Sequence, residues 1–277
     1  MRRVRLSSVI WLAAILVVIG STRTILQAQE QIKASRTGAA LTPKQELGKR
    51  IFFDPRLSVP AGQSCASCHN PDSGFADPRQ TVPVSRGAIV FRCTNRNAPS
   101  AAYAAFSPYF HYDYTPRPGM PHGTYVGGVL WDGLAIDLVD QAKKPFLKIN
   151  EMNNPSKFAV VQQVRCSDYA SLFRQVFGAG SLNNVESAYN LIAQALADYE
   201  RSSEVCQFSS KYDYYLEGKA QLTDQEQRGL ELFEGKATCA NCHSMSNQVN
   251  GKPLFTSFGY ANIGVPKSLD SPFYTQP

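Results

Sequence analysis

The chain of 277 residues is 43% hydrophobic, 11% aromatic and 18% charged, which excludes a disordered polymer and suits one large or two smaller globular domains. Its 19 glycines and 17 prolines point to many turns rather than to a fibrous repeat. The formal charge of +6 would suit a nucleic-acid binder, but Arg2, Arg3, Arg5 and Arg23 fall in the first 28 residues, where no acid stands. The remainder is close to neutral, and nucleic acid is excluded as a partner.

In chain order, the first element is an export segment. A basic start (Arg2, Arg3, Arg5) precedes the apolar run Val9 to Gly20 and a polar stretch around Gln27-Ala28-Gln29. Residues 1–28 are expected to be a cleaved signal peptide, with an uncleaved anchor from Leu6 to Thr22 as the alternative. Either way the body is expected in the periplasm, an oxidising compartment where the seven cysteines would ordinarily form disulfides.

Four of the seven argue for something else. Cys65-Ala-Ser-Cys68-His69 and Cys239-Ala-Asn-Cys242-His243 each set two cysteines three apart with histidine next, the attachment pattern of c-type haem. Two thiols about one turn apart can add to the two vinyl groups of a porphyrin, and the following histidine then ligates the iron. A zinc site would need the two pairs close together and gives no reason for a histidine after each. Two covalent haem c groups are expected, ligated by His69 and His243.

The surroundings of the two motifs repeat. Thr42 to Gln45 opens a segment with Gly48 and Phe52, and Thr223 to Glu226 opens one with Gly229 and Phe233 at the same offsets. Both starts are capping boxes leading into amphipathic helices. Between them, Pro155 to Val164, Tyr169 to Phe177 and Val185 to Arg201 read as helical, the last through Leu191, Ile192, Ala195 and Leu196. No alternating strand pattern stands out. The expected fold is all-α: two cytochrome c-like haem domains with long loops, an N-terminal one over 41–205 and an incomplete C-terminal one over 206–277.

Together these motifs resemble the bacterial dihaem cytochrome c peroxidase and MauG-like family, over Leu41 to about Gly264. Its landmarks stand in order: Leu47-Gly48, Phe53 to Ser58, Cys65 to His69, Gly74 to Asp77, Arg96 to Ser100, Trp131-Asp132-Gly133, Gln141, Asn150-Glu151-Met152 and Cys239 to His243. The resemblance implies that Glu151 is the distal carboxylate of the N-terminal haem, moving a proton between the peroxide oxygens. A carboxylate held protonatable by a dry pocket could serve as both acid and base. Gln141 is similar to its hydrogen-bonding companion, and Trp131 to an electron relay between the haems, although a tryptophan in that setting is equally suited to a core. Asn97 resembles a side-chain ligand of a calcium ion.

Two departures from the family pattern matter. In peroxidases that need reductive activation a distal histidine follows the Pro-Val-Ser loop; here Pro83-Val84-Ser85 leads to Ala88 at that position, so the N-terminal haem is expected to be open to peroxide when oxidised. The family also continues beyond the point reached at residue 277, through the second haem's distal Met or Tyr, and a longer chain is expected; Met120 is only a remote substitute. Ser107 to Gly128 reads as a Pro-, Gly- and Tyr-rich loop whose His111 and His122 are either distal ligands or solvated lid residues, with the lid preferred. Cys93, Cys166 and Cys206 would leave one cysteine over if two pair.

The implied function is reduction of hydrogen peroxide to water with electrons from a small periplasmic c-type cytochrome or cupredoxin; dimers are common in the family that the chain resembles, which makes a homodimer one option. A MauG-like enzyme oxidising a protein substrate through a ferryl state and a non-enzymatic electron-transfer cytochrome are the alternatives.

Overall fold

The computed structural model describes residues 40–79, 83–116, 121–269 and 271–276. The expected export segment, residues 1–28, and Met120 lie outside the described residues. The chain divides into two compact units, Leu41–Cys206 with Gln221–Pro277, and a second one that includes Gln207–Ala220.

The larger unit is mostly helical. Helix α1 (Pro43–Phe52) begins at a capping box: Gln45 N–H donates to Thr42 Oγ1 at 3.2 Å, and Thr42 N–H donates to the Gln45 side chain at 3.0 Å. Four helices follow, α2 (Leu138–Leu147), α3 (Lys157–Arg165), α4 (Ala170–Phe177) and α5 (Val185–Glu200). Helix α5 carries the apolar stripe, with Ala188, Ile192, Ala195 and Leu196 buried, and α1, α2 and α3 pack around it. The α1 contact is close because Gly48 has no Cβ; one there would run into the Ala195 carbonyl oxygen and approach Tyr199 Cβ to 2.9 Å. Phe52 sets its ring edge-on to Tyr199, centroids 5.3 Å apart, beside this crossing.

Helices α3, α4 and α5 match the periodicity to within two residues. Helix α3 starts after Pro155 because Ser156 caps it, accepting from Ala159 N–H at 3.2 Å. Helix α2 was not evident in the sequence, since Pro145 stands inside it and would ordinarily break a helix. The expectation of no strands is corrected. Within Ser107 to Gly128, β1 (His111–Asp113) pairs antiparallel with β2 (Thr124–Val126), and β3 (Gln248–Val249) pairs with β4 (Lys252–Pro253). Strands of two and three residues are too short for alternation to register.

In the smaller unit α6 (Lys211–Leu216) has its own capping box, Asp213 N–H donating to Ser210 Oγ at 3.1 Å. Back in the larger unit, α7 (Asp224–Glu234) repeats the α1 start, Thr223 N–H donating to Glu226 at 2.7 Å. Its packing differs. None of its residues is buried, and a Cβ at Gly229 would meet nothing within 4 Å.

A staple holds the turn after α2. Buried Asn154 donates through Nδ2 to the carbonyls of Leu57 (2.7 Å) and Phe146 (3.0 Å), and Asn153 Nδ2 donates to Val59 O at 2.7 Å. Asn154→Ala leaves the Leu57 carbonyl without that donor and is expected to cost about 1–3 kcal/mol, read as a lower thermal midpoint.

A candidate haem cleft

The segment between α1 and the first CxxCH is shaped by its own side chains. Asp54 accepts from Arg56 Nε at 2.8 Å and from the buried Tyr169 hydroxyl at 2.7 Å, while Ser58 Oγ accepts from Gln63 N–H at 2.9 Å. This delivers a 3₁₀ turn, Cys65–Ser67, closed by Ser64 and Ser67, with Ser64 N–H donating to Ser67 Oγ at 3.0 Å. His69 follows directly. Its Nδ1 donates to Phe75 O at 3.2 Å, and Phe75 presents that carbonyl from a left-handed conformation (φ 59°). A carbonyl can only accept, so the proton sits on Nδ1 and Nε2 keeps its lone pair. Burial pushes the imidazole below its ordinary range, which keeps the ring neutral as an iron ligand must be.

A single cleft opens over these residues. Cys65, Cys68, His69, Asn97, Trp131, Gln141 and Glu151 line it together, with Leu196, Phe146 and Leu138 among its apolar walls. Glu151 stands in the turn held by Asn153 and Asn154. Its backbone carbonyl accepts from Ala88 N–H at 2.7 Å, and its carboxylate accepts from Lys148 Nζ at 2.8 Å. Ala88 thus sits beside Glu151, with an apolar methyl group where an imidazole was the alternative. Gln141 reaches the cleft from α2, partly buried. Trp131 is not a core residue: it is 58% exposed, and its indole N–H donates to Asn97 O at 2.8 Å. Arg96 and Asp132, each next to one of these partners, form an ion pair that ties the two loops a second time. Among the described residues no group of three or more His, Cys, Asp or Glu could hold a metal ion.

The second motif lies elsewhere. The turn Cys239–Asn241 follows α7, and His243 Nδ1 donates to Phe255 O at 3.2 Å, with Phe255 again left-handed (φ 53°). Phe233 packs against this histidine, centroids 6.3 Å apart. Cys242 and His243 are exposed, so one face of this site is open among the described residues. At both motifs the residues fit a covalently bound haem c: two thiols on one short turn, and an imidazole with Nε2 free and Nδ1 anchored.

His111 and His122 are exposed and outside the cleft, as a surface hairpin requires. Cys93, Cys166 and Cys206 do not pair: Cys166 is exposed at the end of α3, Cys93 and Cys206 are buried, and all three are free thiols.

One lining residue was not foreseen. Glu200 is 8% exposed, at the end of α5 one turn after Leu196. Ile192, Leu196 and Glu200 recur every four residues, so an acid on the apolar stripe was the available signal. Burial raises its carboxyl from an ordinary 4.5 to about 8, with Arg201 only partly opposing. The folded state therefore binds the proton more tightly than the unfolded one. This contribution to stability is complete below about pH 4.5 and is lost as the pH rises through about 8. Glu200→Gln is expected to remove that slope, gaining a few kcal/mol above pH 8, in thermal melts of the haem-loaded protein run at several pH values.

A family model described as "Di-haem cytochrome c peroxidase" matches residues 42–221. The chain is 40% identical over 225 residues to "Methylamine utilization protein MauG" of Paracoccus denitrificans, covering 79% of this chain and 56% of that protein. It is 30% identical to "Cytochrome c551 peroxidase" of Pseudomonas aeruginosa, covering 82% and 57%. Among solved structures, the diheme peroxidase BthA of Burkholderia thailandensis E264 superposes with a TM-score of 0.75 at 34% identity, over 85% of this chain and 58% of that one. The chain thus spans little more than half the length of these relatives.

Proposed function

We propose, from the premise that the chain belongs to the di-haem cytochrome c peroxidase family, that it serves in the periplasm as a peroxidase, reducing hydrogen peroxide to water. The electrons would come from a small c-type cytochrome or cupredoxin. The observation that carries this reading is a single cleft lined by Cys65, Cys68, His69, Gln141 and Glu151.

Haem c, when bound there, would supply the iron centre for peroxide and the redox chemistry of O–O cleavage. The protein supplies the rest. Cys65 and Cys68 fix the porphyrin through thioether bonds, and the His69 Nδ1–H bond to Phe75 sets the tautomer that leaves Nε2 for iron. Gln141 orients peroxide by hydrogen bonding. Glu151 accepts the proton of the inner oxygen and returns it to the departing one, the general acid–base work that O–O heterolysis needs. Its Lys148 partner is 45% exposed, and such a pair is worth at most about 1 kcal/mol, too little to hold the carboxylate away from substrate. Trp131 relays electrons inward from the His243 site, which receives them from the donor. A calcium ion on the Asn97 side chain and assembly as a homodimer belong to the same proposal.

Ala88 offers no side-chain ligand, so a haem held by His69 would be expected to admit peroxide in the oxidised protein. EPR of oxidised holoprotein should then show a high-spin signal from the haem on His69; two low-spin, doubly ligated haems would defeat the proposal. Stopped-flow mixing with peroxide comes next. A rapid spectral change followed by turnover with reduced cytochrome c supports the peroxidase. The same change without cytochrome turnover selects the MauG-like reading, oxidation of a protein partner, toward which the missing histidine leans. An unchanged spectrum leaves an electron carrier.

A further inference from the structure

Glu200 is more than nine-tenths buried and lines the cleft, and burial opposes the ionisation of its carboxyl with only Arg201 acting the other way. A buried acid is expensive to ionise, and the wall it shares with Leu196 supplies nothing to compensate. It sits on the Cys65 side of the cleft, close enough for the two groups to influence each other's ionisation.

The ionisable groups around it are few. Arg201 is next along the chain, Tyr199 precedes it on α5, Cys65 faces it from the 65–67 turn, and Cys206 approaches from beyond the helix, its thiol donating to Glu200 O at 3.3 Å. Four of the cations on the helices packed against α5 are engaged elsewhere. On α1, Lys44 pairs with Asp198 (3.2 Å) and Lys49 with Glu204 (2.8 Å); on α2, Lys144 pairs with Asp140 (3.2 Å); on α3, Lys157 pairs with Glu186 (2.6 Å). Cys65 is consumed as a thioether when haem is attached. The charge that changes opposite Glu200 is then that of the haem itself.

We infer that Glu200 is a proton-coupled tuning residue of the N-terminal haem: it takes up a proton as that iron is reduced and releases it as the iron is oxidised, so that the potential of this haem depends on pH. The inference rests on the haem-binding reading above and adds to it a residue that touches neither peroxide nor iron. In the reductive direction one electron comes from the donor and one proton from solvent through the cleft mouth, leaving the net charge of the pocket unchanged. Oxidation returns both. Ferric haem carries one positive charge more than ferrous haem, and that charge favours the carboxylate; its loss favours the neutral acid. The group titrates in the range where this matters, its carboxyl being raised to about 8.

The test is a redox titration of the holoprotein followed by EPR, which separates the two irons, at several pH values spanning 8. The haem on Cys65 and Cys68 is expected to become harder to reduce as pH rises, with its reduced-to-oxidised ratio at fixed potential changing up to tenfold per pH unit. Glu200→Gln is expected to flatten that dependence and leave the haem on Cys239 and Cys242 unmoved. A flat wild-type profile, or an unaltered slope in the variant, overturns the inference. Should the variant fold poorly, redox-difference infrared spectra of the wild type decide: a carboxylic-acid C=O band gained on reduction supports it, and no such band overturns it. Absence of covalent haem on a denaturing gel would bring down both this inference and the peroxidase reading. Covalent haem with a pH-independent potential would bring down this one alone.

Discussion

Replacing Glu151 by Gln is expected to slow the reaction of the holoprotein with peroxide by about 10²–10⁴-fold, the range general acid–base groups contribute. The substitution keeps shape and hydrogen-bonding capacity and removes only the ability to take and return a proton. It should leave the fold intact, because what the surrounding loop uses is the Glu151 backbone, whose carbonyl accepts from Ala88 N–H at 2.7 Å. The lost side-chain pair with Lys148 is largely solvated and contributes little. Covalent haem content and the visible spectrum of the resting protein should be unchanged. The measurement is the second-order rate constant from stopped-flow traces at increasing peroxide concentration. A fall smaller than tenfold would mean that Glu151 does not carry the proton work.

What could be read from the residues was what local chemistry decides. Thr42 and Thr223 cap helices because a hydroxyl and an acid or amide three residues on satisfy each other whatever lies beyond. Cysteines at the CxxCH spacing fall on one short turn in both copies for the same reason. Helix α5 was legible because its stripe is long. The anchors of the two histidines were not, since Phe75 lies six residues after His69 and Phe255 twelve after His243, and both depend on a loop bending into the left-handed region. Helix α2 was hidden by Pro145, tolerated because Asp137 caps the start and Leu138, Ala142 and Phe146 bury one face.

The site divides along the same line. That Trp131, Gln141 and Glu151 meet at one cleft follows from tertiary folding, and only a family resemblance could anticipate it. Glu200 was missed although its spacing was on view, because an acid on an apolar stripe is distinctive only once the burial of its neighbours is known. Two identical attachment frames also ended in different surroundings. His69 is enclosed by a cleft and His243 is exposed, a contrast that a shared CxxCH frame cannot encode.

That contrast gives the second large effect. Gly48→Ala and Gly229→Ala are the same substitution at equivalent points of the duplicated unit, and they are expected to act with opposite sign. At Gly48 the added methyl group meets the Ala195 carbonyl, part of the α5 backbone, with Tyr199 Cβ at 2.9 Å. Backbone cannot step aside like the end of a long side chain, so α1 and α5 must separate and the stripe between them loosens. A cost of about 3 kcal/mol is expected, the upper end of overpacking in a core and a large share of the 5–15 kcal/mol typical of a domain. For a chain of this size it lowers the thermal midpoint by roughly 6–12 °C. At Gly229 nothing lies within 4 Å, so alanine is accommodated and α7 gains up to about 1 kcal/mol of helix propensity. Thermal melts of the two holoproteins decide the matter. Equal losses would mean that α7, like α1, is pressed against another backbone in solution, and size-exclusion chromatography would then ask whether that backbone belongs to a second copy of the chain.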